Sequence, residues 1–473
     1  MALINFSGLA SGIDSDSLIK ATSDAARTQR VVPNQNKISD LQDTNSALSE
    51  LKSKLSNLQS LTRKFSTING GGVAKQGKSS DETVLTATAS NTATNGTYTI
   101  TPTQKAKNAI VSLKSTATYT SGDDIIAPTI AMGDPASPNR TMSIATGLTT
   151  DLETVDIVVS DTTTLNQFVT EYNNSATKSI ASVVNVGTST SADYRIVINS
   201  LNEGTQKGDI NLTVGASLTT ASAFNSNTTS QALDATFTIS GITGVITRPT
   251  NTITDVIPGL SFTIEDTGSA TVTVADDVNT TATRIQDFVD AYNEIVGYIA
   301  EQDLVSRQQE GQDVTNVFGP LADTSLDENF LSTFRTNVSS SVYSSGTKVR
   351  IFSDMGITTE RDGTLKFDKS LLESAIGDES ASVKRVLQTF GDTVSLTGGT
   401  IDSFIRFNGM IDTTVNSNQS LIDNLNDRIG QAEAQIAQQE ATMRAQFARL
   451  ESLVSRLQGQ QQSLTSALSG LGR

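Results

Sequence analysis

Two acidic pairs, Asp123-Asp124 and Asp276-Asp277, come nearest in this sequence to a catalytic or metal-binding constellation. Adjacent carboxylates supply hard oxygen ligands for a divalent cation or, at the right separation, the acid and base of glycoside hydrolysis. Neither pair has the ligand spacing of an EF-hand loop, so both read as solvated loop carboxylates. Arg361-Asp362-Gly363-Thr364 reads better as turn chemistry than as a cell-binding tripeptide, because Asp-Gly between alternating apolar residues is the stronger signal and predicts a hairpin. Gly8 and Gly12 have the spacing of a helix-packing or phosphate-cradling motif. No strand precedes them, and they read as a leader. The Lys and Tyr residues stand without companions that would make a nucleophile.

The chain contains no His, Cys or Trp. Thiol nucleophiles, imidazole bases, Ser-His-Asp triads and Cys/His zinc sites are therefore excluded, and no cofactor or metal is implied. A net charge of −16 and a pI of about 4.5 argue against nucleic acid or an anionic bilayer as partner, since polyphosphate needs clustered Lys and Arg. The segment 1–7 has no basic stretch, long apolar run and small-residue cleavage site. The expectation is residence in the cytoplasm or export without a cleaved signal. No run approaches the ~18 apolar residues of a membrane span.

At 473 residues the chain exceeds one ordinary core, and the hydrophobic periodicity divides it. Residues 14–68 read as helix, with N-caps at Asp14 and Ser15, an interruption at Pro33, and an end at Asn69-Gly70-Gly71-Gly72. Residues 82–277 switch to period two, as in Thr97-Tyr98-Thr99-Ile100-Thr101 and Thr271-Val272-Thr273-Val274. One helix, 164–173, interrupts them, and 121–140 reads as a long loop. Helix returns at 281–303, with further helices around Phe330, Leu371 and Val383 and a hairpin at 357–367.

The two ends carry apolar stripes. Leu41, Leu48 and Leu55 recur every seven residues, with Leu51 and Leu58 in a second row. Ile422, Ile429, Ile436, Met443, Leu450, Leu457 and Leu464 repeat the interval without a break. Such spacing predicts coiled-coil strands, weakened in the second seam by Gln439, Gln446 and Gln460. The natural pairing is one stripe on the other, although either can serve contacts between molecules.

The opening Ser7-Gly8-Leu9-Ala10-Ser11-Gly12-Ile13-Asp14 resembles the start of the flagellar filament cap family, also called hook-associated protein 2 (FliD-type). The likeness extends, in order, through Asn251 to Leu260 with Pro258-Gly259, through Asp287-Phe288-Val289-Asp290-Ala291-Tyr292-Asn293, and through Met355-Gly356-Ile357-Thr358 with Asp362-Gly363-Thr364-Leu365-Lys366-Phe367. The motif residues are thus Gly8, Leu9, Gly12, Asp14, Gly259, Phe288, Tyr292, Asn293, Gly356, Asp362, Gly363 and Phe367. Residues 164–205 resemble a small repeat of flagellins and cap proteins.

The expected fold is α+β and multidomain, with terminal helices forming a coiled-coil leg and helical bundle and two β-rich domains inserted as a head. The boundaries read as 1–40 (leader and first leg helix) and 41–72 (N-terminal coiled-coil strand). The first β-rich domain is split between 80–112 and 230–278, and the second occupies 113–229. A helical leg domain follows at 280–415, then the last helix at 416–473. The resemblance implies a secreted homo-oligomer, a ring or plate at the distal tip of the filament. It would hold the growing end, help flagellin fold and insert, and prevent its leakage. It further implies the flagellar type III export machinery and an export chaperone as partners. Alternatives are another axial protein, either a hook-filament junction protein or a flagellin, and a surface adhesin using 82–277.

Overall fold

The computed structural model describes residues 14–114, 117–127, 140–218, 225–310, 313–322, 324–340 and 347–470. The chain divides into two compact units, Met1–Gly72 with Asn279–Arg473, and Val73–Val278 between them in sequence. Gly8, Leu9 and Gly12 lie outside the described residues, as does most of the predicted loop at 121–140.

The first unit begins with α1 (Ser15–Arg30) and α2 (Val32–Arg63). Asp14 caps α1, its carboxylate accepting from the Ser17 N–H (3.1 Å) and hydroxyl (2.5 Å). Pro33 sits in the first turn of α2, where its missing N–H costs nothing and its fixed φ suits the helix. The break therefore falls at Val31. α2 ends at Arg63, earlier than the glycine run implied. A 3₁₀ turn at Thr67–Asn69 intervenes, and Gly70 closes it in the left-handed region.

The β-rich unit has two cores. The strands are β1 (Lys75–Ser79), β2 (Leu85–Ala89), β3 (Gly96–Gln104), β4 (Ile110–Lys114), β5 (Thr141–Thr146) and β6 (Glu153–Val158). After α3 (Leu165–Ser175) come β7 (Ser179–Asn185), β8 (Tyr194–Ser200), the short α4 (Thr205–Gly208), β9 (Ile210–Val214) and β10 (Asn225–Ser230). They are followed by β11 (Ala235–Ile239), β12 (Ile246–Arg248), β13 (Thr252–Ile257), β14 (Leu260–Ile264) and β15 (Ala270–Asp276).

The sheet β1-β15-β3-β11-β12 and the sheet β13-β14-β2 bury alternate residues such as Phe237, Ile239, Phe262, Val272 and Val274 in one core. Phe237 meets Phe262 edge-on at 5.4 Å. The sheets β10-β4-β8-β7 and β6-β5-β9 bury Val111, Ile144, Ile157, Ile196 and Ile198 in the other, with Phe168 and Tyr172 of α3. Between the cores the chain crosses twice, and Lys107 and Leu233 form an antiparallel bridge there. Asn251 holds the crossing, its amide pairing both the N–H (2.9 Å) and the C=O (2.9 Å) of Ala106.

The remainder of the first unit is α5 (Val278–Gln302), a hairpin of β16 (Val305–Glu310) and β17 (Asp313–Phe318), and α6 (Leu326–Ser339). Next come the hairpin β18 (Ile357–Thr359) and β19 (Leu365–Phe367), α7 (Lys369–Ser395), α8 (Thr400–Ile405) and the long α9 (Met410–Gly470). Its core is aromatic. Phe288 meets Phe65 (6.2 Å), Phe334 (6.3 Å), Phe352 (6.2 Å) and Phe390 (5.4 Å), and Tyr292 stacks on Phe334 at 5.1 Å.

One contact in this unit is unfavourable at neutral pH. Asp327, in the first turn of α6, is fully buried, and Asp303, just past α5, faces it. Burial and the neighbouring Asp327 carboxyl push Asp303 up to about 6. A raised acid stabilises the fold below its unfolded value, and that contribution is lost as pH rises through about 6. Asp303→Asn, which mimics the protonated form, should add roughly 1 kcal/mol of stability at pH 7.5 after discounting for solvent screening. At pH 4 it should add almost nothing. Thermal melts at the two pH values check this, and a larger gain at pH 4 would contradict it.

Candidate assembly interface

The carboxylates of Asp123, Asp124 and Asp276 have structural partners, and Asp276, the last residue of β15, is largely buried and not the solvated loop carboxylate expected. Burial raises Asp124, but the Thr120 and Ser121 N–H donors outweigh it and hold the carboxyl below its usual value. Asp123 accepts from Asn166 at 2.9 Å, and Asp276 pairs with Lys75. Asp362 accepts from the Thr364 hydroxyl (2.6 Å) and N–H (3.0 Å), which lower its pKa and fix the turn joining β18 to β19. Among the described residues no cluster of three or more acidic, His or Cys side chains could hold a metal ion. Among them, too, no helix is long and apolar enough to cross a membrane.

The motif residues also build scaffold. Gly259, Gly356 and Gly363 all have positive φ (79°, 86° and 87°), where a Cβ is strained. Phe288 and Tyr292 are core, and Phe367 pairs with Ile357 across the hairpin. Asn293 clamps β19, donating to the Leu365 C=O (2.8 Å) and accepting from its N–H (2.7 Å). The β-rich unit repeats the device. In α3, Phe168-Val169-Thr170-Glu171-Tyr172-Asn173 matches Phe288-Val289-Asp290-Ala291-Tyr292-Asn293 at four of six positions. Asn173 likewise pairs the C=O (2.9 Å) and N–H (2.8 Å) of Ala181 in the edge strand β7. The repeated Phe-Val-x-x-Tyr-Asn could have been found by comparing the sequence with itself.

The terminal stripes meet, antiparallel, over part of their length. Leu41 packs with Ile422 and Leu425. Lys52 pairs with Asp412, Asn45 with Asn418 (2.9 Å), Arg27 with Glu433 (3.1 Å), and Arg444 with Asp16 (3.0 Å). The α1 contact is thin. Its buried residues are Ser15, Ile19 and Ser23, so exposed ion pairs, which individually contribute little, carry much of it.

Leu48, Leu51, Leu55 and Leu58 are fully buried, but they do not form the seam of a two-stranded coil. α2 touches α7 and α8 as well as α9, and Tyr298 of α5 donates to the Ala47 C=O at 3.0 Å. A seven-residue interval specifies a stripe, not how many helices cover it.

Along α9 the stripe changes character. Ile422 and Ile436 are buried, and Ile429 and Met443 are half-buried. α1 begins at Ser15, level with Arg444. Past that level Leu450, Leu457 and Leu464 are 44%, 55% and 64% exposed, with Leu453 and Leu468 exposed beside them. Some 40 Å of helix at 1.5 Å per residue thus presents an apolar row to solvent. Fully burying each Leu contributes about 1.5–3 kcal/mol, and roughly half of that is unrealised here.

The chain matches the family model described as Flagellar hook-associated protein 2 N-terminus over residues 11–109 and the one described as Flagellar hook-associated protein 2 C-terminus over residues 232–459. The A-type flagellar hook-associated protein 2 of Pseudomonas aeruginosa is 27% identical over 490 residues, covering 98% of this chain and 97% of that protein. Flagellar hook-associated protein 2 of Escherichia coli K12 is 25% identical over 482 residues, covering 98% of each. The crystal structure of the flagellar cap protein FliD D1-D2-D3 domains from Escherichia coli shares the fold. Its TM-score is 0.59 at 22% identity, covering 79% of this chain and 99% of that one.

Proposed function

The chain belongs to the flagellar hook-associated protein 2 family, and from that membership we propose that it caps the distal tip of the flagellar filament as a homo-oligomer. There it binds the growing end, promotes folding and insertion of flagellin, and prevents its escape. The observation that carries the mechanism is the open apolar row on α9. A helix packed in one half and unfilled in the other can dock by helix-in-groove contacts on a filament subunit and be withdrawn when the next subunit arrives. The weak α1 contact lets the terminal helices separate during that exchange.

Export fits the same chain. Passage through the type III channel requires an unfolded polypeptide, and a protein without Cys has no disulfide to break. An export chaperone would cover the apolar terminal helices beforehand. A junction protein, a flagellin and an adhesin gain no support from relatives named hook-associated protein 2, and none is carried forward.

Deleting the gene should leave hooks with little filament and flagellin free in the medium, both restored by the full-length chain. Normal filaments in the deletion strain would overturn the proposal.

A further inference from the structure

The apolar row on α9 begins level with the first turn of α1. Asp16 pairs with Arg444 (3.0 Å) and Arg27 with Glu433 (3.1 Å). Positions 16 to 27 of α1 and 444 to 433 of α9 thus advance by the same interval, and the two helices stay in step. Carried on at that pace, the residues before Asp14 run level with the exposed leucines: Leu9 with Glu451, beside Leu450, and Leu3 with Leu457. Thirteen residues precede Asp14, and they lie outside the described residues. A helix of that length spans about 20 Å and an extended chain about 43 Å. Leu457 stands about 20 Å past the level of Arg444, and Leu464 about 30 Å, so the segment is long enough to follow the row. Its composition suits that place. Leu3, Ile4, Phe6, Leu9 and Ile13 are apolar and no side chain in 1–13 is charged, whereas α1 and its cap carry Asp14, Asp16, Lys20, Asp24, Arg27 and Arg30.

We propose that residues 1–13 lie along this row as a strap, covering Leu450 and Leu457 in the free protein and giving way when α9 docks. Covalent connection decides the occupant. A segment joined directly to α1 meets the row at an effective concentration in the millimolar range, far above that of any second molecule in dilute solution. The cover is also displaceable. Gly8 and Gly12 are poor helix formers, and thirteen residues are too few for a stable isolated helix, so the strap holds only as well as its contacts with the row. A groove on a filament subunit that buries the row more completely replaces it. Until then the leucines are kept from capturing other apolar surfaces. The proposal rests on the reading of the row as a docking surface, and it adds how that surface is kept until it is used.

Because the chain has no Cys, double-cysteine variants of the full-length protein test the contact. Ser7 falls level with Leu453, next to the exposed Ser452. Ser7→Cys with Ser452→Cys, treated at high dilution with a short bismaleimide, should give an internally linked monomer in at least about fivefold greater yield than Ser7→Cys with Ser60→Cys. Mixed single variants should give linked dimers only at the control level. Leu3→Ser, Phe6→Ser and Leu9→Ser together should bare the row and raise the fluorescence of anilinonaphthalene sulfonate at least about twofold. Adding Leu450→Asp, Leu457→Asp and Leu464→Asp should abolish that rise. Internal linking at the control level, or no rise in dye binding, would overturn the proposal. So would linked dimers in excess of the internal product, since the occupant would then be a second copy. An internal link together with normal filaments in the deletion strain would refute the cap reading and leave the strap standing. Failure of the link in a protein whose deletion strain lacks filaments would remove the strap alone.

Discussion

Phe288→Ala should lower the melting temperature of the helical unit by roughly 10 °C. The ring is buried and is the hub joining α5 to α6 and α7 through Phe334 and Phe390, and to Phe65 just past α2 and Phe352 just before β18. Truncating a core Phe costs about 3–5 kcal/mol, because transfer energy is lost and a cavity is left. For a unit of this size each kcal/mol is worth about 2–4 °C. Calorimetry of the full chain should show the fall in the transition of the helical unit, with the β-rich unit unmoved. A shift of less than about 2 °C would show that the cluster is not the centre of that core.

Replacing Leu450, Leu457 and Leu464 together with Asp should do the reverse. All three side chains stand about half in water, so the fold loses far less than at Phe288 and the melting temperature should fall by no more than about 4 °C. Three charges on the docking row remove its apolar contacts and add carboxylates that are costly to desolvate on any partner. A deletion strain carrying the triple variant should export the protein but grow no filaments. Wild-type motility would detach the row from function. Ile436→Asp is a poorer probe, since Ile436 is 1% exposed and its loss would damage folding and docking together.

Where side-chain pattern decides structure, the sequence was readable. α3 and the β18–β19 hairpin follow from apolar spacing and Asp-Gly, and the β-rich middle follows from Thr alternating with Val, Ile or Phe. The β16–β17 hairpin interrupts a region read as mostly helical. Val305-Ser306-Arg307-Gln308-Gln309-Glu310 has a single apolar residue, and its strand character comes from pairing with β17, which no local pattern encodes. β1, Lys75-Gln76-Gly77-Lys78-Ser79, is equally silent and forms because β15 supplies a partner. At the terminal helices the heptads located the stripes. The number of helices around α2, and the level at which α9 loses its cover, depend on tertiary packing.

The central claim is action at the filament tip, and the most direct measurement is where the protein sits. Immunogold labelling of intact cells with antibody to this chain should place particles at the distal ends of filaments. Labelling along the filament, or confined to the junction with the hook, would contradict the account.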